Sequence, residues 1–281
     1  MLKLLERAID AIGDRLVLLA PPEAISNPHY QNLDVDPARH RHLLSDMQRL
    51  RGRVYLQDGA IAPDDLTADG LHKTPEDDKS WHLLSLSRER SISSCVWYLE
   101  HDSDATLRRL RVRTCPLASR EEWRRPFTSA VESELARARR DRLRYAEVGG
   151  WAVSPENRCT SEGLVLALAA FSLGRIAGGA LGLTTATVRH ASSTILRRLG
   201  GSNLEVNGKP IPSYYDERYG CEMELLRFDS RRPSSRFAAV IDRLAERLAY
   251  VPVIAASELV EVIGFADTSM DPAAVAAMRA A

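Results

Sequence analysis

Apolar residues along this chain recur at two spacings, one typical of helices and the other typical of strands. The helical spacing covers residues 1–20, 37–51, 119–141, 161–177, 188–199 and 234–248. Strand-like segments cover residues 81–86, 91–100, 107–115, 145–154, 180–186, 204–206 and 222–228. This order of helices and strands predicts an α/β or α+β protein.

Local signals refine several of these elements. Pro37 suits the first position of a helix, and Ser119 with Glu122 has the form of a capping box. Gly200 and Gly201 are a suitable helix stop. The helix at residues 161–177 is apolar almost all round, so we expect it to be buried on most faces.

Composition excludes some classes of function. The chain has 281 residues, 44% apolar side chains and a formal net charge of zero. A core of good size is therefore expected, and binding to nucleic acid is not, because its binders are usually strongly basic. Arginine runs at residues 108–113 and 137–144 are either solvated faces or a docking patch for an acidic partner.

Four scattered cysteines without CxxC spacing favour reduced thiols in a cytoplasmic protein, and we expect no metal site. Residues 1–20 carry charges among their leucines, unlike a signal peptide. The apolar runs are shorter than the length that spans a bilayer, so no transmembrane segment is expected.

The most informative segment is 145–201. In it a strand with two glycines leads through a polar loop into the buried helix, and a short strand, a second helix and Leu199-Gly200-Gly201 follow. A helix start gathers free main-chain N–H groups and can bind an anion or a polar cofactor arm. Gly149 and Gly150 permit a β-bulge, or they relieve crowding against a neighbour. Glu147 lies among apolar residues, so it has either a catalytic task or a charged partner such as Arg144.

Residues 147–200 resemble the GNAT superfamily of N-acyltransferases, which use acyl thioesters. The family pattern A-V-x-P-x-x-R, followed by a glycine at a helix start, is present as Ala152-Val153-Ser154-Pro155-Glu156-Asn157-Arg158 and Gly163. The family's later L-G-F element corresponds to Leu199-Gly200-Gly201. The order of elements fits over about residues 45–230. The resemblance implies a GNAT-like mixed, mostly antiparallel twisted sheet flanked by helices, with extra helices at both ends.

The resemblance also implies roles for individual residues. Glu147 would be the general base, and the main chain at Trp151 and Val153 would hold the thioester oxygen beside a split in the sheet. The pantetheine arm or its phosphate would contact Ala152, Val153, Arg158, Cys159, Thr160, Ser161 and Gly163.

Two departures from the family pattern bear on these roles. Ser161 stands where a glycine is usual, and Glu162 adds a negative charge near the expected pyrophosphate, which favours a carrier-protein donor over coenzyme A. A tyrosine that can protonate the thiolate in many members is absent near Leu196. Candidates that could replace it, or that simply pack on the last strands, are Tyr214, Tyr215 and Tyr219.

Residues 50–55, 81–84 and 211–221 are similar to acyl-homoserine-lactone synthases and, more closely, to bacterial N-acyl amino acid synthases. Trp97 stands near the place of an arginine usual in lactone synthases, which counts against a lactone product. The helix at 234–248 with residues 250–254 either walls an acyl cavity or completes the core. The acidic loop residues Asp69, Asp77 and Asp78 either bind an amino group of the acceptor or are simply exposed to solvent.

We therefore expect an N-terminal helix and linker at 1–35, a GNAT-like acyltransferase domain at 36–255 and a tail at 256–281. The expected activity moves a fatty acyl group from an acyl carrier protein or acyl-CoA thioester to the amine of a small amino-acid-like acceptor. An acidic acyl carrier protein is an expected partner. Two alternatives stay open, a short-chain acetyl-CoA-dependent N-acetyltransferase and a GNAT-like binding protein without turnover.

Overall fold

A computed structural model describes residues 9, 14–22, 24 and 29–257 of the chain. The helices are α1 (Pro37–Gln57), α2 (Glu121–Arg140), α3 (Glu162–Ile176), α4 (Ser192–Leu199) and α5 (Ala238–Leu248). The strands are β1 (Leu16–Leu19), β2 (Leu33–Val35), β3 (Trp81–Leu86), β4 (Ile92–His101), β5 (Arg144–Val153), β6 (Ala180–Thr187), β7 (Ser202–Asn203), β8 (Glu205–Val206), β9 (Lys209–Pro210), β10 (Tyr214–Asp216), β11 (Cys221–Asp229) and β12 (Val253–Ala255). Each helix in this part of the chain is too short or too polar to cross a membrane.

Ten strands form one sheet in the order β10-β11-β6-β5-β4-β3-β1-β12-β2, with β7 also paired to β11. The pairs β5–β6, β1–β12 and β12–β2 are parallel, and the other pairs are antiparallel. One face packs on α3 and α5, and the other face packs on α1 and α2. The predicted mixed, mostly antiparallel sheet flanked by helices is confirmed.

Helix α3 lies between the sheet and α5, which explains its apolar residues on every side. Val165, Leu166 and Leu168 have no exposed surface, and Ile241 and Leu244 of α5 are equally buried in the same cluster. The α5 helix begins at Ala238 rather than at residue 234. Its apolar stripe completes the core, and Phe237 just before it also lines the cavity beside β5 and β6, so both roles that the sequence left open hold.

Helix α1 begins as predicted and ends later than predicted. Pro37 occupies the first turn, and a side-chain oxygen of Asp36 accepts the main-chain N–H groups of Ala38 and Arg39 at 3.1 and 2.9 Å. This N-cap satisfies two donors that the first turn leaves unpaired. The helix continues to Gln57, so its C-terminal end reaches the polar loop after β5, where Asp58 pairs with Arg158 at 2.9 Å.

Three predicted elements are wrong. Residues 16–19 form β1, paired with β3 and β12, rather than the end of an N-terminal helix. Residues 107–115 form 3₁₀ turns rather than a strand, because Glu147 accepts the main-chain N–H groups that a strand would present to a neighbour. Ser119 does not cap α2, since its hydroxyl donates to the Pro116 carbonyl at 3.0 Å. Most of the remaining predicted N-terminal helix, and residues 258–281 of the predicted tail, lie outside the described residues.

A buried ion pair fixes the long loop between α1 and β3. The Arg51 guanidinium, 1% exposed, donates to both oxygens of Asp77 at 2.8 and 2.7 Å. Asp77 also accepts hydrogen bonds from Gln48 and Thr74 at 3.0 Å. The Asp77 carboxylate therefore holds the loop, and it is not available for an amino group. Asp78 is exposed, as expected for a solvated loop.

Two histidines beside this ion pair are held neutral. Burial lowers the pKa of His72 to about 4, and Arg51 adds to that effect. Burial likewise lowers the pKa of His82 to about 4. Nε2 of His82 lies 2.7 Å from the Asp77 carbonyl, so this nitrogen carries the proton and donates it.

We predict that the free energy of unfolding falls as the pH is lowered from about 6.5 to about 4. In this window the unfolded chain protonates both imidazoles while the folded chain does not, so each contributes a slope of about 1.4 kcal/mol per pH unit. The stabilisation is fully present above the histidine pKa of the unfolded chain, about 6.5, and it is lost as the pH falls towards the pKa of about 4 in the folded chain. Urea unfolding at several pH values measures the slope. The His82→Gln variant keeps an N–H donor and should show a shallower slope, whereas equal slopes would contradict this assignment.

Candidate active site

The sheet splits between β5 and β6. Their parallel pairing runs from Arg144 opposite Ala180 to Glu147 opposite Leu183 and goes no further in the described chain. At the apex, the Thr184 hydroxyl donates to the Val148 carbonyl at 2.6 Å. Beyond it, residues 149–153 and 185–187 line a cavity of about 810 Å³. The split expected beside Trp151 is therefore present, and it opens towards the loop after Pro155.

The predicted β-bulge lies at the mouth of this split. Cys95 is opposite Ala152 and Trp97 is opposite Gly149, so one residue of β4 faces two of β5. Gly150 has a φ of 63°, which suits a glycine. A Cβ on Gly149 or Gly150 would lie 2.4 or 2.2 Å from the Trp97 indole. The two glycines thus permit the bulge and also accommodate the indole, so both roles considered for them hold.

The end of β5 presents a main-chain donor to the split. The N–H of Ser154 donates to the Ser93 carbonyl at 2.8 Å, on the β4 side. Main-chain N–H groups alternate in direction along a strand, so the N–H of Val153 is directed to the β6 side. That side carries no ladder partner among the described residues of β6.

The cavity has an apolar branch between the sheet and α3. This branch extends past the point at which β5 and β6 separate and runs under their paired segment. The residues of that segment that line it are Ala146, Ala180 and Gly182. Small residues of α3 line the opposite wall, namely Ala167, Ala170 and Gly174. Small side chains on both walls leave the space that larger ones would fill. Aromatic rings complete the branch: Tyr98, Phe171, Phe228 and Phe237.

A polar branch of the cavity lies on the α1 side of the sheet. The Arg111 guanidinium lies 5.7 Å from the centre of the Trp97 ring and donates to the Tyr219 hydroxyl at 3.2 Å. Tyr55 and His72 complete its wall, with ring centres 5.6 Å apart. The one carboxylate among the described residues that line the cavity is Asp58, and it pairs with Arg158 at 2.9 Å.

The structure brings most of the predicted cofactor residues to the cavity wall. These are Ala152, Val153, Arg158, Cys159, Thr160 and Gly163, together with Trp151. A Cβ on Gly163 would lie 3.2 Å from Val153 and 3.3 Å from Trp151, so glycine lets the first turn of α3 approach β5 closely. Ser161 is not part of this wall.

The orientation of Glu162 removes an argument made from the sequence. Its side chain is buried and accepts hydrogen bonds from the hydroxyls of Ser93 and Ser94, the second at 3.0 Å. Arg15 lies 3.8 Å from the same carboxylate. This negative charge is compensated away from the cavity wall, so the expected repulsion of a pyrophosphate, and with it the preference for a carrier-protein donor, does not follow.

Glu147 is buried and strongly bound. Its carboxylate accepts the main-chain N–H groups of Arg111 and Val112, both at 2.7 Å, and lies 2.9 Å from Nε2 of His101. Arg144, the partner considered from the sequence, pairs with Glu100 instead. Glu147 lines a recess of about 10 Å³ with Thr184, Trp97 and Arg111, which also line the main cavity. The recess has room for about one water molecule.

Of the three tyrosines considered as proton donors, Tyr219 lies at the cavity. Tyr214 is buried in the core under α2, and Tyr215 is 54% exposed. Leu196 lines the cavity at the place where the family pattern has a tyrosine.

The arginine runs are largely compensated within the chain. Arg109 pairs with Asp104, Arg137 pairs with Asp229, and Arg144 pairs with Glu100. These contacts favour solvated, ion-paired faces over a docking patch. Arg198 and Arg236 are exposed cations that line the cavity.

Sequence reasoning missed the side chains that the N-terminal half of the chain contributes to the site, such as Trp97 and Arg111. Trp97 departs from the lactone-synthase pattern, and its packing against Gly149 and Gly150 depends on the β4–β5 pairing, which the sequence does not show. Arg111 was assigned to a strand. The spacing of Ala167, Ala170 and Gly174 puts small residues on one face of α3, and this was the available signal for the apolar branch.

No protein-family model and no curated protein sequence matches the chain. Among solved structures, a CoA-dependent acyl-homoserine lactone synthase, BjaI, bound to SAM and isopentyl-CoA, has a TM-score of 0.51 at 13% identity, covering 88% of this chain and 95% of that one. FeeM, an N-acyl amino acid synthase from uncultured soil microbes, has a TM-score of 0.46 at 12% identity, covering 71% and 89%. The likeness to the lactone synthase shows a shared fold, which agrees with the expected mixed sheet flanked by helices.

We predict that Gly150→Ala destabilises the protein more than Gly208→Ala does. Both glycines have positive φ, of 63° and 74°, but a Cβ on Gly208 has no neighbour within 4 Å. The control should cost about 1–2 kcal/mol. Gly150→Ala should cost about 1–3 kcal/mol more because of the Trp97 indole. Urea unfolding measures both, and equal losses would show that the indole does not pack on the bulge.

Proposed function

We propose that this protein is an N-acyltransferase that moves a fatty acyl group from a thioester to the amine of a small amino-acid-like acceptor. The observation that carries the proposal is the split between β5 and β6, at which an apolar branch and a polar branch of one cavity meet. A thioester at the split would have its acyl chain on one side of the sheet and its attacking amine on the other.

The split supplies a binding mode for the thioester. The pantetheine arm would lie beside residues 151–153, where β6 no longer pairs with β5. There it would form hydrogen bonds with the main chain of β5 that β6 does not form. The Val153 N–H would then hold the carbonyl oxygen, and its interaction would strengthen as that oxygen becomes an oxyanion. A fixed main-chain donor costs little reorganisation when the charge develops.

The apolar branch supports a fatty donor over an acetyl donor. Each methylene moved from water into an apolar site contributes about 0.8 kcal/mol. An acetyl group would leave the space lined by Ala167, Ala170 and Phe171 unfilled. The branch therefore gains affinity with chain length up to the point where Tyr98 and Phe228 enclose it.

The donor's polar end would meet the start of α3. First-turn N–H groups of a helix favour anions, and Arg198 and Arg236 bring positive charge to the same cavity. Arg158 is already paired with Asp58, so it would orient the loop and contribute less of the charge. Either coenzyme A or a phosphopantetheine on an acyl carrier protein fits this chemistry.

The polar branch supports an acceptor that carries a carboxylate. Arg111 is held in place by the Trp97 ring and the Tyr219 hydroxyl. Asp58 is paired with Arg158, and Glu76 lies 3.6 Å from Arg111, so both acid groups near this end of the cavity already have an arginine partner. The arrangement suits an amino acid better than an acceptor with a positive charge and no acid group.

The reaction balances with groups at the site. The acceptor ammonium loses one proton, and its nitrogen then attacks the thioester carbon. As the C–S bond breaks, the nitrogen loses a second proton, which replaces the one that the thiolate takes up, so the reaction releases one proton overall. Glu147 would receive the first proton through one water in the recess that it lines. Tyr219 would protonate the thiolate, because Arg111 holds its hydroxyl oxygen at the cavity.

We expect release of free thiol when the purified protein receives long-chain acyl-CoA or acyl carrier protein together with an amino acid mixture. The rate should rise from acetyl to decanoyl donors because the apolar branch binds the chain. A thiol reagent follows the rate, and mass spectrometry identifies the N-acyl product. A preference for acetyl would favour the short-chain enzyme, and donor binding without thiol release would favour a binding protein.

We predict that Glu147→Gln lowers kcat/KM by about 100-fold or more, the contribution of general base catalysis. The loss should fall on kcat, because the base acts in the chemical step, while the KM of the acyl donor should change little. The control is Glu76→Gln, which removes the carboxylate 3.6 Å from Arg111 without touching Glu147. If Glu147 only anchors the Arg111 loop, its variant will raise the KM of the acceptor and leave kcat largely unchanged.

A further inference from the structure

The tautomer of His72 is fixed by its neighbour. The Arg51 Nε–H group lies 3.1 Å from Nδ1 of His72. An arginine side chain has donors and no acceptor, so Nδ1 must be the lone-pair nitrogen. The proton of the neutral ring is therefore on Nε2.

Arg51 itself is immobile, which makes this tautomer a permanent feature. Its guanidinium is anchored to both oxygens of Asp77 and also donates to the His72 carbonyl. Burial and the Arg51 charge lower the pKa of His72 to about 4, so the ring stays neutral near pH 7. His72 consequently can donate from Nε2, and it cannot act as a base.

His72 lies in the wall of the polar branch. Tyr55 packs beside its ring, and Arg111 is near enough to influence its pKa. Among the described residues, no hydrogen-bond acceptor meets Nε2, although Nδ1 and the main chain of the same residue are bonded. The polar branch thus contains a fixed neutral donor next to the Arg111 cation.

We propose that His72 determines acceptor specificity, by donating from Nε2 to a carboxylate oxygen of the acceptor that Arg111 binds through its charge. This inference rests on the proposed function. A site with one neutral N–H donor and one cation binds a carboxylate better than the matching carboxamide. The carboxylate offers two oxygens and a negative charge, whereas the amide offers one oxygen and no charge. The same pair disfavours a cationic group, since the two carboxylates nearby, Asp58 and Glu76, are already paired with Arg158 and Arg111.

The test compares acceptor kinetics of the whole chain with His72→Leu and His72→Gln. The acceptor probes are the amino acid with the highest kcat/KM in the panel of protein amino acids and its carboxamide. For His72→Leu we expect the KM of the amino acid to rise about tenfold, as for one lost hydrogen bond to a charged group. The KM values of the carboxamide and of the acyl donor should change little. The Gln variant retains an N–H donor and an acceptor for Arg51, so it should keep most of the affinity for the amino acid.

A structural role alone would raise the KM of both probes and of the donor together, and that result would overturn the proposal. An unchanged KM for the amino acid in His72→Leu would also overturn it. If no acceptor supports thiol release, the proposed function itself fails. The ¹⁵N spectrum of the histidines gives an independent readout, with a protonated Nε2 on His72 that shifts when the amino acid is added. A protonated Nδ1, or no shift, would contradict the inference whatever the activity.

Discussion

The early end of the β5–β6 ladder is the constraint on which the site depends. Parallel strands ordinarily satisfy their main-chain groups along their whole shared length. Here pairing stops at Glu147 and Leu183, and the Thr184 hydroxyl takes the Val148 carbonyl that would otherwise begin the next rung. The edge beyond it stays open within a sheet whose other neighbours hold it rigid. An unpaired strand edge at this depth is costly unless a ligand satisfies it. In our account a thioester arm does so.

Close packing around the bulge divides the space at the split into two chemically different parts. The Trp97 indole fills the position that side chains at 149 and 150 would occupy, and the Arg111 guanidinium lies 5.7 Å from the centre of its ring. On the opposite face of the sheet, alanines and glycines of β5, β6 and α3 leave an apolar channel. Glu147 links the β5–β6 ladder to the loop that carries Arg111. It belongs to the last residue pair of the ladder, and its carboxylate accepts the main-chain N–H groups of Arg111 and Val112. Ladder, bulge and loop therefore support one another.

Sequence reasoning reached the parts of this arrangement that local rules determine. The buried helix α3, the bulge at Gly149 and Gly150 and the order of β5, α3 and β6 follow from periodicity, glycine chemistry and a recognisable loop. Contacts between distant residues were out of reach. Alternation at 107–115 looked like a strand, since nothing nearby in sequence shows that Glu147 binds its N–H groups. The Arg51–Asp77 pair and the burial of the Glu162 carboxylate against Ser93 and Ser94 also depend on tertiary packing. The orientation of Glu162 reversed an electrostatic argument that had been sound for an exposed side chain.

The most direct test of the central claim is to locate the acyl chain on the protein. A long-chain acyl-CoA with a photoreactive diazirine near its end would be bound, irradiated and mapped by peptide mass spectrometry. Our account predicts labelling in the tryptic peptide 159–175, which contains the small residues of α3, and competition by the unlabelled donor. Labelling confined to surface peptides, or to α1 on the opposite side of the sheet, would contradict it.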